Sequence, residues 1–386
     1  MKENIIQFLD EQTPYFRQIG EYIWNHPELG FSEFKSSQKL IDALTEHGFS
    51  IKQPVDGMET AFIATFDSGL PGRTVAFLAE YDALPELNHA CGHNLIGTMS
   101  VAAAISLSKA VHSTGGKVIV FGTPAEETGG AKVPLSEKGY FNDVDVALMA
   151  HPFHRYEESG SSLAMEALQF DFFGKSAHAA ASPYEGINAL DAVIALFNHI
   201  SALRQQLTSD VRIHGIITEG GSAPNVIPDK TQAKFYVRAN TAEQLPDLID
   251  KVKNCANAAA LATGCTVEMS YYELGYANLS TNEPLSHAFM KNLVALGVSE
   301  QEIHAKSDHG SSDIGNVSNK VPAIHPYIKI TDEAFNLHTP EFCEAANSDR
   351  GYEGMIIGAK ALALTGYDVL TDAELHQQIK DFFNRK

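Results

Sequence analysis

The distribution of apolar and polar positions predicts alternating strands and helices in the first part of the chain. Mostly apolar runs at residues 74–79, 117–121 and 144–150 are typical of buried parallel strands. An Ala-rich segment at residues 95–111 and a shorter segment at 132–140 have the pattern of helices. Strands that alternate with helices pair in parallel through right-handed crossovers. We therefore expect an α/β fold, with a mixed, mostly parallel sheet flanked by helices.

A second arrangement is predicted for residues 165–278. The apolar patterns there predict a strand, a helix, two strands, a helix and a strand, at residues 167–173, 188–207, 211–217, 232–238, 243–263 and 266–272. This β-α-β-β-α-β order is that of a ferredoxin-like domain. Helix and strand patterns of the first kind resume after it. The prediction is a discontinuous domain of residues 1–164 and 279–386, into which a domain of residues 165–278 is inserted.

The composition of the chain limits the kinds of molecule that it is expected to bind. The 386 residues carry a formal net charge of -20, which argues against nucleic acid or an anionic membrane, because both require clustered Lys and Arg. A small-molecule partner is the better hypothesis. The N-terminus lacks the basic region of a secretory signal, and no run of about 18 apolar residues is present. Four scattered cysteines do not suggest a disulfide framework, and we expect a reduced, cytoplasmic protein.

Polar side chains follow all three predicted parallel strands. Glu80 and Asp82 come after the first, Glu126 and Glu127 after the second, and His151 after the third. Adjacent carboxylates directly after a buried strand are costly to desolvate unless a cation lies near them. Neighbouring strand residues point in opposite directions, so we expect one glutamate to bind metal and the other to accept a proton from water. The alternative is a solvated loop with two surface acids.

Further candidate ligands lie in loops. Cys91 and His93 flank Gly92, whose permissive backbone would let both side chains turn to one point. A thiolate and an imidazole together favour an ion such as zinc. Each residue alone also has a structural interpretation, because buried cysteine and histidine are common. Five candidates together favour a metal centre: Cys91, His93, Glu127, His151 and His338.

Six short sequence blocks follow one another along the chain. They are Asn-His-Pro-Glu-Leu-Gly at 25–30, Glu-Tyr-Asp-Ala-Leu-Pro at 80–85, His-Ala-Cys-Gly-His-Asn at 89–94, Pro-Ala-Glu-Glu at 124–127, Gly-Lys-Ser-Ala-His-Ala at 174–179 and Asn-Val-Ile-Pro-Asp at 225–229. In this order they resemble the peptidase family of aminoacylases and glutamate carboxypeptidases, and they are similar above all to its branch of hippurate hydrolases, plant auxin-conjugate amidohydrolases and aminobenzoyl-glutamate hydrolases. The resemblance covers nearly the whole chain.

The resemblance implies a zinc-peptidase-like catalytic domain that binds two divalent metal ions, with zinc favoured over manganese or cobalt. The metal-ligand positions of the family fall on the five candidates named above, and the general base falls on Glu126. We also expect Asp82 to be one of the catalytic residues, together with Glu126. Many relatives have His-x-Asp where this chain has Glu80-Tyr81-Asp82, so the first metal would be held differently or Asp82 would support the ligands.

The resemblance also assigns roles to the inserted domain, as a lid that mediates assembly into a homodimer or a dimer-based oligomer. His178 and Asn225 match residues that reach the active site of the partner subunit and help to stabilise the oxyanion. Arg238 matches a position that can bind a substrate carboxylate, although a routine ion pair at the lid surface would explain an arginine equally well.

The expected function is that of a metal-dependent hydrolase of an amide bond in a small dipeptide or N-acyl amino acid with a free carboxylate. Glu126 would accept a proton from the attacking water and return it to the leaving nitrogen. Two other interpretations remain. Cys91 could be the nucleophile of a thiol amidase, or the chain could bind metal or ligand without turnover.

Overall fold

The computed structural model describes residues 1–306 and 310–385. The chain divides into two compact units, unit 1 with Met1–Ser161 and Leu279–Lys386 and unit 2 with Ser162–Asn278. The boundaries predicted from the sequence fall after residues 164 and 278. Unit 1 contains every residue proposed above as a metal ligand.

Helices and strands occur throughout both units, with the following bounds. The helices are α1 (Lys2–Glu11), α2 (Thr13–Asn25), α3 (Phe34–Glu46), α4 (His93–Thr114), α5 (Lys132–Glu137), α6 (Ala189–Leu203), α7 (Leu245–Thr263), α8 (Glu283–Ala295), α9 (Ile314–Ser318), α10 (Pro340–Ala345), α11 (Asp349–Thr371) and α12 (Ala373–Phe383). The strands are β1 (Ser50–Lys52), β2 (Phe62–Asp67), β3 (Thr74–Ala79), β4 (Lys117–Gly122), β5 (Val146–Leu148), β6 (His151–Phe153), β7 (Tyr156–Glu157), β8 (Ala164–Phe173), β9 (Arg212–Glu219), β10 (Lys230–Ala239), β11 (Thr266–Tyr271), β12 (Ile303–His304), β13 (Ala323–Ile324) and β14 (Tyr327–Lys329).

Unit 1 is built on a six-stranded sheet with the order β1-β2-β4-β3-β5-β13. Strand β3 pairs in parallel with β4 and β5, and β13 pairs in parallel with β5. Strands β1 and β2 extend the sheet in antiparallel fashion. The predicted mixed, mostly parallel sheet is confirmed. Because β3 and β4 run in the same direction, the residues that follow them lie at the same edge.

The central strand and its following helix form the core of unit 1. Every residue of β3 is buried, and α4 packs on β3, β4 and α11. By length and composition alone α4 is apolar enough to cross a membrane, but 89% of its most apolar window is buried inside the structure, which is the environment of a core helix. This burial fixes the end of β3 and the start of α4, where site residues lie.

Unit 2 has the ferredoxin-like topology that the sequence predicted. Its sheet has the order β11-β8-β10-β9, and every neighbouring pair is antiparallel. Alternate residues of β10 are buried, as expected for a sheet with one face covered. Helices α6 and α7 supply that cover, with a core that includes Phe170, Phe235 and Val237.

Two local predictions differ from the structure. The predicted strand at 144–150 is shorter, and His151 begins β6 in a second sheet of order β12-β7-β14-β6, so it lies within a strand and not after one. Helix α4 begins at His93 because Gly92, at φ 82°, serves as its N-cap. His93 is therefore the first residue of the helix and not part of the loop.

Candidate metal centre and active site

Unit 1 brings all five predicted ligand residues together. Their ligand atoms form overlapping groups in which all members lie within 4.8 Å of one another. These groups are Cys91, His93 and His151; Cys91, Glu127 and His338; His93, Glu126 and Glu127; and Glu80, Glu126 and Asp313. Cys91, His93 and Glu127 each belong to two of these groups, so the groups form one connected cluster that offers more than one candidate metal position.

The backbone of Gly92 turns Cys91 and His93 toward the cluster. Gly92 has φ 82°, a conformation that side chains with a Cβ rarely adopt. A Cβ at this position would lie 2.9 Å from Cγ of Pro152. Cys91 Sγ lies 3.4 Å from Nε2 of His151, and Nδ1 of His151 lies 2.7 Å from the carbonyl of Pro152. This carbonyl accepts the Nδ1 proton, leaving Nε2 directed at the thiol.

One carboxylate, that of Asp82, orients two of the candidate ligands. Its Oδ1 lies 3.0 Å from Nδ1 of His93, and its Oδ2 accepts the backbone N–H of Glu127 at 3.0 Å. Burial works to raise the pKa of Asp82, but the His93 imidazole outweighs it and lowers this pKa. A carboxylate on the far nitrogen of a histidine fixes the ring and its tautomer, as it does behind metal-binding histidines in general.

Glu127 lies between two imidazoles. Its Oε1 is 3.3 Å from Nε2 of His338 and 3.9 Å from Nε2 of His93. His338 adopts φ 61°, and its backbone N–H donates to the carbonyl of Ala90 at 3.0 Å. This bond ties the late loop of the chain to the loop that carries Cys91.

The unsatisfied atoms of the cluster fit a divalent metal. Among the described residues, Nε2 of His93 and Oε1 of Glu127 are buried without a hydrogen-bond partner. Such atoms are costly to bury unless another group satisfies them. Thiolate, imidazole and carboxylate are the ligands that zinc takes in proteins. The residues present therefore fit a metal centre.

The turn that carries Glu126 and Glu127 is held by a buried residue that the sequence analysis missed. Ala125 has φ 60°, and its N–H donates to Oε1 of Glu33 at 2.8 Å. Thr60 donates to the other oxygen of Glu33 at 2.8 Å. Burial, followed by the negative charge of Asp82, raises the pKa of Glu33 to about 7. The available sequence signal for a role of Glu33 was its position just after the block at residues 25–30.

Glu126 has the properties of a proton acceptor. It is partly exposed and lies among carboxylates. Burial, together with the negative charges of Glu80, Glu127 and Asp313, raises its pKa well above the usual value. A carboxylate whose pKa is raised is a stronger base than a free one, so the direction of this shift favours proton acceptance.

Lys132 was also missed by the sequence analysis. This side chain is fully buried, and its Nζ donates to Oε1 of Glu80 at 2.6 Å and to Oδ1 of Asp313 at 2.6 Å. From the sequence, a lysine after a Gly-Gly-Ala segment is expected at the surface, because lysine is almost never buried without partners. The sequence offered no signal that two distant acids would surround it.

The other three predicted site residues belong to unit 2. Nδ1 of His178 accepts the backbone N–H groups of Ala180 at 3.2 Å and Ala181 at 3.1 Å, so Nε2 carries the proton and can donate it. The N–H of Ala179 donates to the carbonyl of Asn225 at 3.0 Å, which brings Asn225 beside His178. Both side chains are exposed.

Arg238 lies on β10. Its guanidinium is 5.4 Å from the ring centroid of Tyr236, and burial lowers its pKa. A guanidinium that is partly desolvated on a tyrosine face binds carboxylate more strongly than one in bulk water.

Comparison with known proteins identifies a family model and relatives that this chain resembles. Residues 165–264 match the family described as "Peptidase dimerisation domain" of the M20 group. The chain is 39% identical over 401 positions to a Xaa-Arg dipeptidase of Mus musculus, covering 100% of this chain and 93% of the relative. It is 30% identical to one subunit of the p-aminobenzoyl-glutamate hydrolase of Escherichia coli strain K12, covering 98% of this chain and 96% of that protein.

A similar fold occurs in a solved structure from Bacillus subtilis, described as a dinuclear metal-binding peptidase of the M20 family. The TM-score is 0.65 at 20% sequence identity, covering 94% of this chain and 99% of the other. Since the dipeptidase of Mus musculus matches along the entire chain, this protein belongs to the M20 family of peptidases, hydrolases of amide bonds.

Proposed function

We propose that the protein is a metal-dependent dipeptidase or N-acyl amino acid hydrolase that holds two divalent metal ions per chain and uses Glu126 as its general base. The observation that carries the proposal is the different setting of two adjacent carboxylates. Glu127 lies between His93 and His338, with an oxygen that has no hydrogen-bond partner among the described residues. Glu126 lies beside it with a raised pKa. The surroundings of Glu127 suit a metal ligand, and those of Glu126 suit a general base.

The metal ligands in this proposal are Cys91, His93, Glu127, His151 and His338. When bound, metal ions at these residues supply the Lewis acidity that lowers the pKa of water and polarises a carbonyl. Zinc is the ion that their sulfur, nitrogen and oxygen donors favour. Asp82 positions His93 and the backbone of Glu127, and it does not itself exchange protons with the substrate.

Glu126 moves the proton. It accepts one from the water molecule that attacks the amide carbonyl, which avoids release of a proton into a buried site. As the carbon–nitrogen bond breaks, the protonated Glu126 donates the same proton to the leaving nitrogen. Each cycle therefore adds one water across the amide and returns Glu126 to its starting state.

The residues of unit 2 complete the site in this proposal. His178, with its proton on Nε2, donates to the oxyanion that forms on the substrate carbonyl. Asn225, next to it in unit 2, contributes to the same interaction. The match of residues 165–264 to a dimerisation domain supports a homodimer, in which these two residues act on the partner subunit.

The substrate class follows from Arg238 and from the relatives. A guanidinium binds a carboxylate through two parallel hydrogen bonds, which favours substrates with a free C-terminal carboxylate. The relative in Mus musculus is named for dipeptides that end in arginine. We therefore infer that dipeptides are the preferred substrates, with N-acyl amino acids as the next class.

The thiol-amidase interpretation fits the geometry less well. Burial, followed by the negative charge of Glu127, raises the pKa of the Cys91 thiol well above its usual value. A nucleophilic cysteine requires the opposite shift, because the thiolate is the reactive form. A binding protein without turnover would not need Glu126, which is present beside the ligands.

The experiment is hydrolysis of a panel of dipeptides and N-acyl amino acids by the purified protein, before and after chelation and after readdition of zinc. The proposal predicts hydrolysis that chelation abolishes and zinc restores. Activity that survives complete removal of metal, but is lost after alkylation of Cys91, would establish the thiol mechanism instead.

A further inference from the structure

Lys132 is a buried charged residue beside the candidate site that has no part in the proposed chemistry. Lys132, Glu80 and Asp313 are each exposed by 1% or less. The ammonium donates to both carboxylates at 2.6 Å, and the backbone N–H of Lys132 donates to the second oxygen of Asp313 at 3.0 Å. Asp313 therefore holds Lys132 at both its side chain and its main chain.

These bonds overcome a large desolvation penalty. Burial alone would lower the pKa of Lys132, but Asp313 and Glu80 raise it above its usual value. A buried charge is tolerated when its partners are close and well aligned. The two carboxylates therefore favour the charged form of the lysine in the interior of unit 1.

The same carboxylates border the proposed base. Ligand atoms of Glu80, Glu126 and Asp313 all lie within 4.8 Å of one another. Three carboxylates at that separation repel each other strongly in a buried setting. Lys132 is bonded to two of them, and its positive charge offsets their mutual repulsion and fixes their positions.

Glu80 also links the lysine to the metal ligands. Its Oε1 accepts from Lys132, while its Oε2 lies 3.5 Å from Nε2 of His93. Because Glu80 accepts a hydrogen bond from Lys132, its side chain is less free to move toward a metal ion bound at His93. This arrangement gives Glu80 a role other than that of a simple ligand in the Glu-Tyr-Asp block.

We propose that Lys132 is a positioning residue for Glu126, a fixed internal cation that anchors Glu80 and Asp313 and thereby holds the Glu126 carboxylate toward the attacking water. This inference rests on the proposed function. Displacement of a catalytic group by about 1 Å can lower a rate roughly 100-fold, so loss of the anchor acts on turnover. Substrate and metal binding do not depend on it.

The test is Lys132→Met in the metal-loaded enzyme, with kcat and KM measured per mole of folded protein and metal content measured in parallel. The proposal predicts a fall in kcat of roughly 100-fold, with KM changed by less than about twofold and metal content maintained. The matched control is Lys138→Met, which removes an exposed pair with Asp56 at 2.6 Å and leaves kcat unchanged.

A double-mutant comparison shows whether Lys132 acts through Glu126. In a Glu126→Gln background, the proposal predicts that Lys132→Met lowers the residual rate by less than about twofold, because residues that act as a unit are not additive. An equal loss in both backgrounds would overturn the proposal. So would a normal kcat for Lys132→Met with only a lower melting temperature, or a loss of bound metal.

Glu80→Gln tests the same contact if Lys132→Met does not fold. This substitution weakens the hydrogen bond between Lys132 and residue 80 but leaves the lysine in place. It should lower kcat while metal content stays constant. A fall in metal content would instead identify Glu80 as part of the metal centre and overturn the inference. A fully active Glu126→Gln single variant would refute the proposed function itself, which keeps the two failures distinct.

Discussion

The Oδ1 atom of Asp82 lies 3.0 Å from Nδ1 of His93, and Oδ2 of the same carboxylate accepts the N–H of Glu127. A single buried side chain thus sets the direction of two ligands. Asp82→Ala should lower the affinity for zinc by roughly 10- to 100-fold, the usual cost of losing such a support. Competitive titration with a chromophoric chelator measures it.

Asp145 provides a matched control for this variant. Its carboxylate also joins a backbone N–H, that of Thr74 at 2.8 Å, to an imidazole, that of His376 at 3.0 Å. Asp145→Ala should destabilise the fold without changing zinc affinity. Equal zinc affinities for the two variants would show that Asp82 has only a structural role.

Gly92→Ala should damage the metal centre more than its backbone strain alone explains. A side chain at φ 82° costs about 1–2 kcal/mol, and the added Cβ would also lie 2.9 Å from Pro152. Gly57 has a similar φ of 79° with open space around it, so Gly57→Ala isolates the cost of strain. Urea unfolding and zinc titration compare the two, and identical results would contradict the argument.

Glu33 should make the stability of the protein depend on pH. In the unfolded chain Glu33 ionises near pH 4.5, whereas in the folded protein it keeps its proton until about pH 7. The unfolded state therefore binds fewer protons than the folded state between these values, and the free energy of unfolding falls as pH rises. The contribution is fully present below pH 4.5 and is lost as pH passes 7.

The comparison uses Glu33→Gln, whose amide oxygen can still accept from Ala125. Relative to this variant, the metal-free wild-type protein should lose up to roughly 3 kcal/mol of stability across that pH window, measured by urea unfolding. A stability difference that is constant with pH would mean that Glu33 ionises normally in the folded protein.

Arg238→Lys should raise KM for dipeptides with a free carboxylate by about tenfold and leave kcat nearly unchanged, because lysine cannot form the bidentate contact. Substrates with an amidated C-terminus should not distinguish the two enzymes. The control is Arg212→Lys, at the paired position on β9. An unaltered KM for Arg238→Lys would leave the arginine with a structural role only.

The architecture could be predicted because each element carries its own pattern. The buried strand β3 reads as an apolar run, and the β-α-β-β-α-β order of unit 2 follows from local periodicity. Three of the ligand candidates, Cys91, His93 and Glu127, could be predicted because they follow β3 and β4, which are parallel neighbours. His93 and Glu127, for example, lie close together because α4 and β4 both adjoin β3.

The supporting residues could not be predicted in the same way. Glu33 meets Ala125 across 92 positions, and Lys132 meets Asp313 across 181. Contacts at such separation depend on tertiary packing, which local propensity does not encode. A buried lysine and a surface lysine have the same sequence signal, and only the surrounding carboxylates distinguish them.

The most direct test of the central claim is turnover by Glu126→Gln, measured together with its metal content. The variant keeps the size of the side chain and removes its basicity. We predict a loss of at least roughly 100-fold in kcat, with zinc bound as in the wild-type protein. A Glu126→Gln enzyme that binds zinc and hydrolyses dipeptides at nearly the normal rate would contradict the assignment of Glu126 as the base.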